Sequence, residues 1–453
     1  MSFDPATLGS LSLEEKRRLA RELLDSRREE HPAYTDLTYD MAMHSTSAEH
    51  AESRRFGEWL KAISEDDAYS FEAPRLGGQR TEVDILRESG EVLHVLNFGS
   101  YNYLGYSHHP EVIAAAKEAL DRYGLGAGSS PILSGTLKIH RELEGRILEF
   151  LGLEGRAVSL FSSGYAVNTG TISSFVKQGH CVVLDRSVHM SIQEGAQLSK
   201  ARTFYFRHND VGNLEQVLRR LAPENTRVLV CTEGVFSADG DRGRLAEIVE
   251  LSHRYGAQVL VDEAHSILVA GPGGRGVGEE QGVLRDIDLL VLTFSKAFGG
   301  VGGALVAREE MARYVNWYAR CRMFSCALDP AVAGGLIKVL ELAAGSDGGE
   351  RRERVRANAA RLRSLLADSV STGVSESWIV PVMYGLGRLT FPLNDFLQKT
   401  GLETNIMQFP AVPKDESRIR LFVTAEHTDA QIDRAVSLIR QAAQRFGFAK
   451  EGT

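Results

Sequence analysis

Thr293-Phe-Ser-Lys-Ala-Phe-Gly-Gly300 decides how the rest of the chain is read. It follows Asp288 and an apolar run, Leu289-Leu-Val-Leu292, whose composition predicts a buried strand. A second apolar run, Ala304 to Val306, comes next. Lys296 is therefore expected in a loop at the carboxyl end of a strand, between hydroxyls and glycines. In open α/β sheets that is the end where ligands bind. A lysine held there suits a Schiff base with an aldehyde cofactor, and the neighbouring hydroxyls suit a phosphate. A surface lysine in a Gly-rich turn fits this segment equally well, so the other loops must decide.

Outward from this stretch, short apolar runs rich in β-branched residues recur. They are Ala157–Phe161, Cys181–Leu184, Thr203–Phe206, Arg227–Cys231, Gln258–Val261, Leu289–Leu292 and Gly303–Val306. Helix-periodic segments such as Pro110–Tyr123, Lys138–Leu151 and Leu245–Tyr255 lie among them. Strands alternating with helices imply crossover connections and a mainly parallel sheet between helices. After about residue 335 the texture changes. A charged helical region, Glu350–Val370, leads to strand candidates at Trp378–Tyr384 and Arg418–Val423 and a last helix over Asp429–Arg445. Three units are expected: a helical arm over 1–95, a large α/β domain over 96–335 and a smaller α+β domain over 336–453. In the arm, Ser12 and Glu15 form a capping box ahead of a charged helix, and a second helix is expected around Ala51–Ile63.

Bulk properties narrow the class. At 453 residues the chain is long enough for roughly two to three domains. A formal net charge of −8 and the lack of a basic patch argue against a nucleic-acid partner. Cys181, Cys231, Cys321 and Cys326 show no CxxC spacing and read as reduced thiols. No apolar run approaches the ~20 residues needed to span a bilayer, and the amino terminus has no signal pattern. A cytoplasmic protein is expected.

The loops after the other strands carry complementary groups. Val259-Leu-Val261 runs into Asp262-Glu-Ala-His265. A carboxylate at the end of a buried strand is costly unless it meets a cation, and a protonated pyridine nitrogen is one. An N-cap aspartate with a surface histidine is the plainer alternative. Ser163-Gly-Tyr165 begins a helix after a strand, where free N–H groups attract phosphate. His189 follows another strand and could stack on a flat ring; an ordinary loop histidine fits too. Glu233 and Ser237 follow yet another. Lysine, carboxylate, imidazole and a phosphate-binding helix start together match the needs of pyridoxal phosphate.

Several motifs add to this: Asn97-Phe-Gly-Ser-Tyr-Asn-Tyr-Leu-Gly105, Ser134-Gly-Thr-Leu-Lys-Ile-His140, Asp262-Glu-Ala-His-Ser266, the Lys296 stretch and Arg418-Ile-Arg-Leu421 with Ala425-Glu-His-Thr428. On these the chain resembles the α-oxoamine synthases, fold-type I pyridoxal-phosphate enzymes, from about Asn97 to about Arg440. The resemblance implies a seven-stranded sheet and a condensation of a small amino acid with an acyl thioester, on coenzyme A or an acyl carrier protein. It implies that Lys296 forms the Schiff base and that Asp262 meets the pyridine nitrogen. It further implies that His189 stacks on the ring and that His265 and Ser237 contact the phenolic oxygen. Ser163, Gly164, Tyr165, Thr293 and Ser295 would hold the phosphate, with Glu233 beside the cofactor. Arg420, with Asn102, would bind the amino-acid carboxylate. No metal is implied. A homodimer with shared active sites is implied too, with Met323-Phe-Ser325 near the partner's phosphate. The wording of Ser100–Gly105 leans to serine or alanine as substrate. Gly240-Asp-Arg-Gly-Arg-Leu245 and Asp329-Pro330 depart from the family's usual text without removing a catalytic group. A fold-type I aminotransferase or decarboxylase, or a non-catalytic partner subunit, would carry much of the same pattern.

Overall fold

The computed structural model describes residues 70–224, 226–409 and 411–450, with helical positions at 54, 56–58, 60 and 61. These last positions fall in the helix expected at 51–63. The capping box at Ser12 and its helix lie outside the described residues.

The described region starts with a hairpin, β1 (Glu82–Leu86) and β2 (Val92–Asn97), paired antiparallel. The large sheet follows: β3 (Arg156–Phe161), β4 (Cys181–Asp185), β5 (Arg202–Phe206), β6 (Val228–Glu233), β7 (Gln258–Asp262), β8 (Leu289–Thr293) and β9 (Gly303–Arg308). Their order in the sheet is β3-β9-β8-β7-β6-β4-β5. Only β9 runs against the other six, antiparallel to β3 and β8; the remaining pairs are parallel. The reason lies in the connection. Residues 294–302 between β8 and β9 are too few for a helical crossover, which needs about a dozen residues or more. The chain must turn straight back, and that return is the loop holding Lys296.

Helices cover both faces: α1 (Pro110–Tyr123), α2 (Lys138–Leu151), α3 (Gly164–Phe175), α4 (Met190–Ser199), α5 (Val211–Leu221), α6 (Leu245–Arg254), α7 (Glu309–Tyr318) and α8 (Pro330–Ala344). The central strands are therefore buried on both sides, β4, β6 and β8 along their whole length. Beyond them, α9 (Ser346–Leu366) leads to β10 (Ile379–Gly385), α10 (Thr390–Thr400), β11 (Leu402–Glu403), β12 (Asn405–Met407), β13 (Ser417–Phe422) and α11 (Asp429–Phe446). A second sheet, β10-β13-β12, is antiparallel throughout.

Residue 335 falls inside α8. The segment ahead of residue 96, read as a helical arm, contributes β1 and β2, and β2 pairs in parallel with β11. Arg87 fixes this join, donating to Asp395 Oδ1 at 2.7 Å and to Gln398 Oε1 at 3.0 Å. Val83, Ile85 and Val95 form a small apolar cluster of their own on this hairpin.

Candidate active site

The carboxyl ends of β3, β4, β6, β7 and β8 converge on a cavity of about 220 Å³. Lys296 lines it from the β8–β9 return. Gly299 makes that return possible. Its φ is +70°, and a Cβ there would lie 2.4 Å from the backbone nitrogen of Ser107. Burial lowers the affinity of the Lys296 amine for its proton, and Arg420 adds to this, while Asp262 and Glu233 oppose it. A lysine shifted this way is a better nucleophile at neutral pH.

Asp262 ends β7 and is 5% exposed. The backbone N–H of Ala264 donates to its Oδ1 at 2.9 Å, and Asn168 Nδ2 donates to its Oδ2 at 2.7 Å. No helix starts at Asp262; the chain turns through 264–266 instead. Glu233 ends β6 and accepts the backbone N–H of His189 at 2.5 Å. Burial, and then repulsion from Asp262, push the Glu233 carboxyl well above the usual range. His189, at the start of α4, also lines the cavity. Burial and then the Lys296 charge lower its pKa. Tyr165 meets the imidazole edge-on, with ring centres 6.1 Å apart.

Ser163 caps α3, its Oγ accepting from Ala166 N at 3.1 Å. The cap serves Ala166; helix geometry offers no intrahelical acceptor to the N–H groups of Gly164 and Tyr165. Thr293 faces this helix start, and its Oγ1 lies 3.0 Å from Ser295 Oγ. A Cβ on Gly164 would sit 2.5 Å from Thr293 Oγ1, so only glycine allows this approach. The result is a set of N–H and hydroxyl donors that suits a phosphate.

His265 completes the cavity wall. Its Nδ1 lies 2.7 Å from the Tyr103 hydroxyl, and its carbonyl accepts Trp378 Nε1 at 3.0 Å. Burial first, then Lys296 and Arg420, push its pKa well below the ordinary value. Arg420 comes from β13, 8% exposed. It donates to the Ser237 carbonyl at 2.9 Å and to Asn405 Oδ1 at 3.0 Å, and lies over the Phe422 ring. Among the described residues no carboxylate pairs with it. Ser237 thus meets the site through its carbonyl and is not part of the cavity wall. Asn102 stands apart as well: its side chain donates to Ser107 Oγ at 2.8 Å and accepts from Ser107 N at 3.3 Å. The remaining expected residues, Ser163 to Tyr165, His189, Glu233, Asp262, His265, Thr293, Ser295 and Lys296, all line one cavity.

Asn168, Ser191, Tyr103 and Asn405 were not read from the sequence. Ser191 and Asn168 follow the flagged His189 and Gly164 by only a few residues, which is the one signal that marked them.

The donor set fits pyridoxal phosphate. There is an amine for the aldehyde, a buried carboxylate for the ring nitrogen and an N–H-rich cradle that a Cβ would fill. A model of the family described as aminotransferase class I and II matches residues 94–439. An 8-amino-7-oxononanoate synthase of Citrifermentans bemidjiense is 36% identical over 393 residues, spanning 86% of this chain and 99% of that protein. A serine palmitoyltransferase of Sphingobacterium spiritivorum is 36% identical over 378 residues, 83% of this chain and 92% of that protein. A solved serine palmitoyltransferase from S. paucimobilis with bound PLP–myriocin matches with a TM-score of 0.82 at 34% identity, covering 88% of this chain and 99% of that one. Sheet order, cavity and these matches agree: the chain belongs to the aminotransferase class I and II family and, within it, to the α-oxoamine synthases, pyridoxal-phosphate enzymes of fold-type I.

Proposed function

We propose that this enzyme joins a small amino acid to an acyl thioester by decarboxylative Claisen condensation. The amino-acid Cα bonds to the acyl carbon, and an α-amino ketone, CO2 and the free thiol result. The observation that carries this reading is Arg420. A buried guanidinium whose acceptors, Ser237 O, Asn405 Oδ1 and the Tyr101 hydroxyl, are all neutral is costly unless an anion joins it. A substrate carboxylate is the fitting anion, because a guanidinium binds it through two parallel N–H bonds.

When bound, pyridoxal phosphate supplies an electron sink for the bond broken at the substrate Cα. The chain's own residues do the rest. Lys296 takes the Cα proton and later returns one. Asp262 keeps the ring nitrogen protonated. His189 would stack on the ring and His265 would contact the phenolic oxygen, while Ser237, outside the cavity wall, holds Arg420 through its carbonyl. Ser163, Gly164, Tyr165, Thr293 and Ser295 seat the phosphate, and Glu233 supports the His189 loop. Arg420 would hold the substrate carboxylate and so fix how the Cα bonds are oriented. Serine or alanine is the preferred amino acid; the thioester is on coenzyme A or on a carrier protein.

The working form is a homodimer in which Met323-Phe-Ser325 reaches the partner's phosphate seat. Phe324, Trp317 and Tyr318 support this, being 82%, 62% and 61% exposed in one subunit; apolar surface of that size is normally covered. The protein is cytoplasmic. Its cysteines are all unpaired, which favours a reducing compartment, and among the described residues no helix is long and apolar enough to cross a membrane. The test is a product assay with glycine, alanine and serine, each with acyl-coenzyme A and acyl carrier protein. Thiol and CO2 released together are expected. A keto acid or an amine formed without thioester would point to an aminotransferase or a decarboxylase, since the same fold serves all three.

A further inference from the structure

One continuous hydrogen-bonded chain joins two residues of the site that sit far apart in sequence. His189 Nδ1 lies 2.8 Å from Ser191 Oγ. Asn168 Nδ2 donates to Ser191 Oγ at 2.9 Å and to Asp262 Oδ2 at 2.7 Å. Ser191 is 0% exposed and Asn168 2%. Both line the cavity wall.

The direction of every bond in this chain follows from elementary chemistry. The Asn168 amide cannot be turned over, because its oxygen would then face the Asp262 carboxylate and the Ser191 oxygen would lose its donor. Asn168 Nδ2 therefore donates to both. Ser191 Oγ accepts from Asn168 and keeps a second lone pair, so what decides the next bond is the backbone N–H of Ser191, which can only donate: with Nδ1 its acceptor, the Ser191 hydroxyl hydrogen must also point at Nδ1. The backbone N–H of Ser191 points at the same nitrogen at 3.3 Å. Two donors aimed at Nδ1 require a lone pair there. The ring proton must then sit on Nε2, the nitrogen left for a bound molecule. Asn168 also carries a cost: its Oδ1 is buried with no partner among the described residues. An unsatisfied buried oxygen is destabilising, and its retention fits an amide placed for what its nitrogen does.

We propose that Asn168 and Ser191 are positioning residues that lock His189 as the Nε2–H tautomer and tie its ring to the Asp262 carboxylate. His189 then presents a hydrogen-bond donor to the bound cofactor and substrate. It stabilises a substrate oxygen and does not accept a proton at Nε2. This rests on the cofactor site itself, not on which amino acid or thioester is used.

The test is nitrogen-15 NMR of the protein with labelled histidine, before and after adding pyridoxal phosphate, with His189→Gln to assign the signal. A pyridine-type Nδ1 and a protonated Nε2 near neutral pH are expected in both states. A protonated Nδ1 in the unmodified protein overturns the proposal, whatever any variant does. Ser191→Ala should release a mixture of the two tautomers, and Ser191→Thr should restore the single form. An unchanged signal in a folded Ser191→Ala protein also overturns it. Asn168→Ala should weaken cofactor binding by on the order of tenfold, the loss of a hydrogen bond to a charged group. Unchanged affinity would remove Asn168 from the chain. If the unmodified protein fails to bind pyridoxal phosphate at all, the cofactor assignment fails instead, and the tautomer result stands or falls separately.

Discussion

Lys296 stands alone in the cavity as the amine, so its removal should separate chemistry from folding. Lys296→Ala is expected to abolish turnover and the visible band of bound cofactor while circular dichroism and melting stay near those of the unmodified protein. Normal turnover in that variant would contradict the assignment. Arg420→Lys keeps a charge but loses the planar fork. The Michaelis constant for the amino acid should rise by about tenfold or more, consistent with losing one charge-assisted hydrogen bond, while cofactor affinity is unaffected. His427 gives a stability prediction. It is stacked on Phe98 with ring centres 3.9 Å apart, and burial lowers its pKa from 6.5 to about 4 despite a bond to the Asn97 carbonyl. The unfolded chain therefore binds the extra proton first. The contribution is intact above pH 6.5 and is lost as pH falls towards 4. It amounts to about 3 kcal/mol, at roughly 1.4 kcal/mol per pH unit. His427→Asn should melt at a lower temperature near neutrality but show a shallower acid loss; parallel curves would contradict this. Lys296, Asp262 and His189 were legible because each follows a strand signal. Asn168 was not, because its value lies in reaching Asp262, 94 positions away.

At the scale of elements, the start of α3 and the loop after β6 carry the arrangement. Gly164→Ala would place a Cβ against Thr293 and close the phosphate seat. Equilibrium dialysis should show at least about tenfold weaker cofactor binding, given the several donors displaced; unchanged binding would argue against a phosphate there. His208 ties β4 to that second loop: it meets Asp185 at 2.9 Å and Asp241 at 2.8 Å. Burial opposes its charge, but the two carboxylates outweigh this and raise its pKa to about 10. The sign is the reverse of that for His427. The stabilisation is complete below pH 6.5 and lost as pH rises towards 10. His208→Gln should therefore cost most stability near neutrality and little in strong alkali, as thermal melts across pH would show. Seven strands of the large sheet could be read from apolar runs: the central ones are buried on both faces and continuous in composition, and the edge strand β5, largely exposed or half-buried, keeps enough aromatic and β-branched residues to read as a strand. The β1–β2 hairpin could not. Its first strand follows a polar stretch and alternates over only five residues, Glu82–Leu86, and its second is a six-residue run, Val92–Asn97. The ends of α1 and α2 were legible because Pro110 and the glycines after Tyr123 and Leu151 mark them.

For the whole molecule, the exposed aromatics on and after α7 make a single subunit look incomplete. Sedimentation should give twice the chain mass, and Trp317→Glu with Phe324→Glu should shift the protein towards monomer and lower cofactor retention. A monomeric unmodified protein with full activity would contradict shared active sites. The β2–β11 pairing joins segments some 300 residues apart, and composition carries no mark of it. Lys296, Asp262 and Arg420 would serve an aminotransferase as well, so the choice of reaction rests on the likeness to an 8-amino-7-oxononanoate synthase and a serine palmitoyltransferase, each 36% identical. The most direct measurement is therefore a paired assay of free thiol and CO2 after adding an amino acid and an acyl thioester to the cofactor-loaded enzyme. Equal release of the two, dependent on both substrates and absent in Lys296→Ala, is the predicted result. Amino-acid turnover with no thiol release from either coenzyme A or carrier-protein thioesters would contradict it.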